Sequence, residues 1–228
     1  MKGSYLPILS GLVAAGAIAG LSVPDHAATL SIGTALNGGA ITLQNSGAAP
    51  GPVTFSGPVG AYNIDAVSGE DLSATSLDSH AIDATSAGTT EVLDVYVSVS
   101  DITGLSGLQK ALSGLTVNLL TPGWSVTEST FEDNSNTVFG MANPLATHTC
   151  TSGPDVFAAL ASVNVTPPFS VTELYQISSS GLGGAANDTI DISGVPEPST
   201  WAMLGIGFAA MAFAGFRKAR ARPAISIG

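Results

Sequence analysis

The stretch Glu91-Val-Leu-Asp-Val-Tyr-Val-Ser-Val-Ser100 decides the fold class. Its side chains alternate: Leu93, Val95, Val97 and Val99 form one aliphatic face, and Val92, Asp94, Tyr96, Ser98 and Ser100 form a mixed one. A repeat of two is the period of a β-strand, whereas a helix would scatter the four aliphatics around its circumference. One apolar and one mixed face is what a strand shows when its sheet covers a core on one side only.

Working outward, further short apolar or alternating runs predict strands over residues 40–44, 53–55, 115–120, 124–131, 162–165, 172–178 and 189–192. Between them stand turn signals: Asn37-Gly38-Gly39, Ala49-Pro50-Gly51-Pro52, Pro122-Gly123, Asp133-Asn134 and the glycine-rich residues 181–184. Strands at this spacing predict a mainly β, single antiparallel domain, either sandwich-like or barrel-like. Residues 103–112, with Leu105, Leu108 and Leu112, and residues 154–161 read as short helices. There is no internal repeat.

Charge divides the chain into three. Residues 29–198 hold 16 Asp and Glu against one cation, Lys110, a net charge of −15. The other five cations, Lys2, Arg217, Lys218, Arg220 and Arg222, lie near the two ends. Nucleic acids and anionic lipid surfaces both require clustered Lys and Arg, so the acidic middle binds neither. Ser and Thr supply 42 of those 170 residues, a bias that suits solvated strand faces and turns. The single cysteine, Cys150, has no internal disulfide partner; it reads first as a buried small hydrophobe, with a dimer crosslink and a free thiol as the alternatives.

Residues 1–28 read as a secretory signal peptide: Lys2 is the charged head, an uncharged apolar stretch follows to Leu21, and Pro24 ends the helix. This implies the Sec translocon and signal peptidase as partners. At the other end, Val195-Pro196-Glu197-Pro198 is a stiff, extended tetrapeptide that cannot enter a helix interior. An apolar run starts at Trp201, ends at Phe216 and is followed by the basic cluster Arg217, Lys218, Arg220 and Arg222. As a helix, that run spans about 24 Å, short of a hydrocarbon core of about 30 Å. Trp201 suits one membrane interface and the basic cluster the other, where long side chains extend the span. The positive-inside rule keeps the cluster cytoplasmic and puts the acidic middle outside.

A Pro-Glu-Pro tripeptide, a short apolar helix and a terminal basic cluster in succession resemble the PEP-CTERM sorting signal of Gram-negative bacteria, also labelled an ice-binding protein C-terminal domain. The resemblance covers residues 195–222. It implies recognition by an exosortase, cleavage near Pro196-Glu197-Pro198, transient anchoring in the inner membrane, and an association with exopolysaccharide or biofilm matrix. The organisation expected is a signal peptide at 1–28, an exported acidic β-rich domain at 29–194, the sorting signal at 195–222 with its transmembrane helix, and a cytoplasmic tail at 223–228.

Catalytic motifs are missing: the chain has no Gly-X-Ser-X-Gly elbow, no phosphate-binding loop, no His-Glu-X-X-His and no Cys-X-X-Cys, and nothing calls for a cofactor. In His148-Thr-Cys150 the two side chains share one side of an extended strand, but two ligands are too few for structural zinc. Glu132, Asp133 and Asn134 make a loop of hard oxygen ligands and are the weak calcium candidates, without the spacing of an EF-hand. Otherwise the carboxylates read as solubilising charge. The expectation is a non-enzymatic surface or matrix protein. The alternatives are a module binding the exopolysaccharide through Trp124, Tyr62 or Tyr175, and a hydrolase of unfamiliar type.

Overall fold

A computed structural model describes residues 28–49, 51–73, 76–195 and, in the C-terminal apolar run, 206, 208, 209 and 211. The described residues form twelve strands: β1 (Thr29–Leu36), β2 (Thr42–Ala48), β3 (Val53–Val59), β4 (Tyr62–Ser73), β5 (Ser76–Ser86), β6 (Val92–Ile102), β7 (Gly107–Leu120), β8 (Ser125–Asp133), β9 (Asn143–Cys150), β10 (Asp155–Val165), β11 (Phe169–Ser178) and β12 (Gly184–Val195). They pair antiparallel in two six-stranded sheets, ordered β2-β1-β6-β11-β8-β9 and β10-β7-β12-β5-β4-β3. The sheets stack face to face as a sandwich and do not close into a barrel.

The quoted stretch becomes β6, which lies between β1 and β11 in the first sheet. Leu93, Val95, Val97 and Val99 are at most 2% exposed and belong to the main core. Leu30 and Ile32 of β1, Tyr175 and Ile177 of β11, and Leu115, Val117, Ile190 and Ile192 from the opposite sheet meet them there. Burying each such aliphatic contributes about 1.5–3 kcal/mol. Polar side chains also cross the gap between the sheets. The hydroxyls of Ser113 and Thr130 lie 2.8 Å apart, and the Ile190 N–H donates to the Tyr175 hydroxyl at 2.8 Å.

The two helices expected from sequence are strands. Residues 107–112 of the first lie in β7 after a short loop, and residues 155–161 of the second lie in β10, which pairs with β7 over eleven residues without a register shift. The spacing of four between Leu108 and Leu112 is even, so it suits one face of a strand as well as a helix, and cross-strand pairing overrides the helix propensity of the alanines. Strands β1, β4, β5 and β9 lie where the sequence shows no strand signal. The turns at Asn37-Gly38, Pro122-Gly123, Asp133-Asn134 and Gly181 do fall between strands.

A smaller apolar cluster occupies the outer face of the first sheet, where Ala35, Tyr96 and Leu174 are covered by Ile41, Phe131 and Phe139. The β8–β9 loop folds back to bring Phe139 there. It is held by Asn136, whose amide donates to Asp101 and whose carbonyl accepts the Asp101 N–H, both at 2.8 Å. Phe139 lies directly over Gly33: a Cβ at that position would sit 2.7 Å from the Phe139 ring and 2.8 Å from Ile41. Replacing Gly33 by Val is therefore expected to cost about 2 kcal/mol through overpacking and to lower the melting temperature by roughly 4–8 °C. A thermal melt followed by circular dichroism checks this, and an unchanged midpoint would mean that the loop does not pack on Gly33.

Candidate functional site

The sorting segment begins where the folded body ends. β12 lies inside its sheet between β7 and β5, and its last residue, Val195, pairs with Lys110 of β7. Pro196, Glu197, Pro198, Trp201, Phe216, Arg217, Lys218, Arg220 and Arg222 lie outside the described residues, as do residues 1–27 of the expected signal peptide. Within the apolar run, Ile206, Phe208, Ala209 and Met211 are helical and exposed. Among the described residues no helix is long and apolar enough to cross a membrane.

Inside the sandwich, the parity of the strands points several acids inward. Along β8 the inner positions are Val126, Glu128, Thr130 and Glu132; along β11 they are Val171, Glu173, Tyr175 and Ile177; along β12 they are Ala186, Asp188, Ile190 and Ile192. Glu128 is 1% exposed and Asp188 0%, and neither carboxyl has a hydrogen-bond partner among the described residues. Burial pushes Glu128 up to about 8, helped by the negative fields of Asp188 and Asp155. Asp188 is likewise pushed up to about 8 by burial and then by Asp83, which accepts a hydrogen bond from the Asn187 amide. A buried carboxyl without a partner avoids the cost of an unpaired charge by keeping its proton.

Beside this pair, at the β9/β10 edge, His148 and Asp155 meet at 2.7 Å (Nε2 to Oδ2), and the His148 ring stacks on Phe157 with centroids 4.6 Å apart. The hydrogen bond from His148 holds the Asp155 carboxyl below its ordinary value. Cys150 shares the inner face of β9 with His148, as its spacing predicts. It is buried, its thiol donates to the Ser152 carbonyl at 2.8 Å, and burial pushes its pKa up, away from a reactive thiolate. His148 therefore engages a carboxylate on the facing strand.

The calcium candidates do not converge on a common point. Glu132 turns inward and accepts from the Asn143 amide at 2.8 Å. Asp133 accepts the Ser135 N–H at 2.7 Å, closing the turn. Asn134 donates to the Asn164 carbonyl and accepts the Thr166 N–H, fastening the β10–β11 connection. All three work as loop staples, and among the described residues no group of three or more His, Cys, Asp or Glu is placed to hold a metal ion.

The proposed sugar-stacking rings are core residues. Trp124 and Tyr62 are each 1% exposed and meet edge to face at 6.0 Å, and Tyr175 is fully buried. Their polar ends are satisfied inside, with the Trp124 indole donating to the Leu182 carbonyl and the Tyr62 hydroxyl to that of Glu91.

The buried acids escaped the sequence reading, which assigned them to solvent. The signal was present in the alternation: Glu128 is two residues from Val126, and Asp188 is two from Ile190, on the aliphatic face. Their pH linkage has a definite sign. In the unfolded chain both carboxyls ionise near pH 4, whereas the folded state retains their protons to about pH 8. Stability from this source is complete below pH 4 and is lost as pH rises through that window. The melting temperature is expected to fall by more than about 10 °C between pH 5 and pH 8.5. In the double variant Glu128→Gln, Asp188→Asn most of that slope should disappear. A slope unchanged by the double substitution would show that other groups set it.

No curated protein sequence matches the chain. Among solved structures, the enzymatically active domain of tailspike protein 4 of bacteriophage CBA120 aligns at 13% identity with a TM-score of 0.30, covering 60% of this chain and 20% of that one. So slight a likeness carries no argument about fold or activity. The sequence family described as the PEP-CTERM protein-sorting motif matches residues 194–218, and the chain thus carries that sorting motif from the last two residues of its last strand onward.

Proposed function

We propose that this is an exported protein of a Gram-negative bacterium, held briefly in the inner membrane and cut by an exosortase near Pro196-Glu197-Pro198. The released acidic sandwich then serves a non-enzymatic role at the cell surface or in the extracellular matrix, in association with exopolysaccharide. The observation that carries this reading is the sorting motif at residues 194–218, which starts as β12 ends. Cleavage there would remove the apolar run and basic cluster while leaving every described strand in place.

Two features of the body favour a structural role over the alternatives. Among the described residues of the sandwich Trp124, Tyr62 and Tyr175 are buried and Phe55, Phe131, Phe139 and Phe157 only partly exposed, which disfavours a sugar-stacking platform built on open rings. The carboxyls of Glu128 and Asp188 are sealed between the sheets, away from any glycosidic substrate.

Intact mass of the protein from wild-type cells should correspond to loss of the segment after the Pro-Glu-Pro, and cells lacking the exosortase should keep it. Replacing Pro196, Glu197 and Pro198 by alanine should leave the chain in the inner-membrane fraction. A full-length tail in wild-type cells, or normal release of the alanine variant, would overturn the sorting assignment.

A further inference from the structure

We propose that two copies of this chain pair edge to edge through β10, joining their second sheets into one continuous twelve-stranded sheet. The sandwich has four terminal strands, and it does not treat them alike. An open sheet edge is a template for another chain, and proteins guard it with prolines, bulges, polar side chains or short strands. β3 carries Gly57 and Pro58, with a register shift between Phe55 and Gly57. β9 carries Pro144 and is bulged against β8 at Thr130 and Phe131. β2 is largely polar and bulged against β1 at Ile32 and Gly33.

β10 lacks these guards along its middle and is capped only at its two ends, where the Val156 N–H donates to the Asp155 carboxylate and the Asn164 carbonyl accepts from the Asn134 amide. Its eleven residues, Asp-Val-Phe-Ala-Ala-Leu-Ala-Ser-Val-Asn-Val, include no proline and no glycine, and it pairs with β7 without a shift. Among the described residues β7 is its only sheet partner. Its outer face is apolar and open: Val156 is 74% and Leu160 57% exposed, beside Leu112 of β7 at 38% and Leu108 at 59%.

Charge selects a second copy as the occupant. The stretch 29–198 carries −15, so two copies repel each other over most approaches. Around β10 this repulsion is weakest: the strand's only charge is Asp155 at its start, and the one cation of the stretch, Lys110, stands between Leu108 and Leu112 on the neighbouring strand. The strand is also complementary to itself. Full antiparallel overlap places the two-fold axis at Leu160, so that Leu160 meets its own copy, Ala158 meets Ser162, Val156 meets Asn164, and Asp155 meets Val165. The two Asp155 carboxylates then stand about 34 Å apart along the strands. With the Val156 N–H and the Asn164 carbonyl already engaged, such a pairing forms about eight backbone hydrogen bonds and buries the Leu160 and Leu112 side chains of both copies against one another.

The test uses the full chain purified in detergent and exposed to a mild thiol oxidant, with disulfide-linked dimer read on a non-reducing gel. In the proposed register Leu160→Cys puts two thiols opposite each other, while Val156→Cys keeps them far apart. Cross-linking is expected to be about tenfold greater for the first than for the second. The double variant Val156→Cys, Asn164→Cys should recover it through a different pair of positions. Leu160 points outward, so each variant should melt near the wild-type temperature. Absence of cross-linking in both Leu160→Cys and the double variant would overturn the proposal, as would equal cross-linking of Leu160→Cys and Val156→Cys.

Discussion

Everything in this sandwich depends on the parity of its strands around one gap between two sheets. β6 shows the rule in its simplest form, with Leu93, Val95, Val97 and Val99 all directed into the core and Asp94, Tyr96, Ser98 and Ser100 all directed away. Because side chains alternate strictly, a slip of one residue would exchange the two sets and put Asp94 among the valines. β6 is flanked by β1 and β11, so its register fixes theirs, and theirs in turn fixes β2 and β8. On its outer side the same parity presents Tyr96 to Leu174 and Phe139, and places Asp94 where the Gly38 N–H and the Gln176 amide both donate to it.

The same rule turns acids inward. Glu128 and Asp188 occupy core positions between aliphatic neighbours, and their answer to burial is to keep a proton. The formal charge of the chain therefore overstates what the folded protein carries at neutral pH. Buried unpaired carboxyls cost stability, and the fold tolerates them beside a large aliphatic core and the Ser113–Thr130 and Tyr175–Ile190 links across the gap. The fold is thus more stable in mildly acidic than in alkaline surroundings, because the folded chain still keeps both protons there.

What could be read from sequence follows from local contrast. β6 and β8 were legible because aliphatics alternate with polar residues, and the turns because Gly, Pro and Asn mark them. β9, reading Asn-Pro-Leu-Ala-Thr-His-Thr-Cys, has too little apolar contrast to stand out, and its place is set by pairing with β8. β4 and β5 carry acids and serines with little apolar contrast; β4 pairs with its sequence neighbours β3 and β5, and β5 is tied into the sheet by the distant β12. Trp124 looked available for a ligand because an isolated aromatic carries no sign of burial, and only the approach of Tyr62 and Leu182 assigns it to the core. The sorting motif is the reverse case: it is linear, and its chemistry is complete in the sequence itself.

Fold and sorting meet at Val195, where the last strand ends and the motif takes over. The central claim is that the acidic body is a complete folded unit that needs nothing beyond this point. Limited proteolysis of the full chain, with intact mass of the resistant core, tests it most directly. The account predicts one fragment beginning near Thr29 and ending close after Val195. A core that ends before Gly184, or one nicked between paired strands, would contradict it.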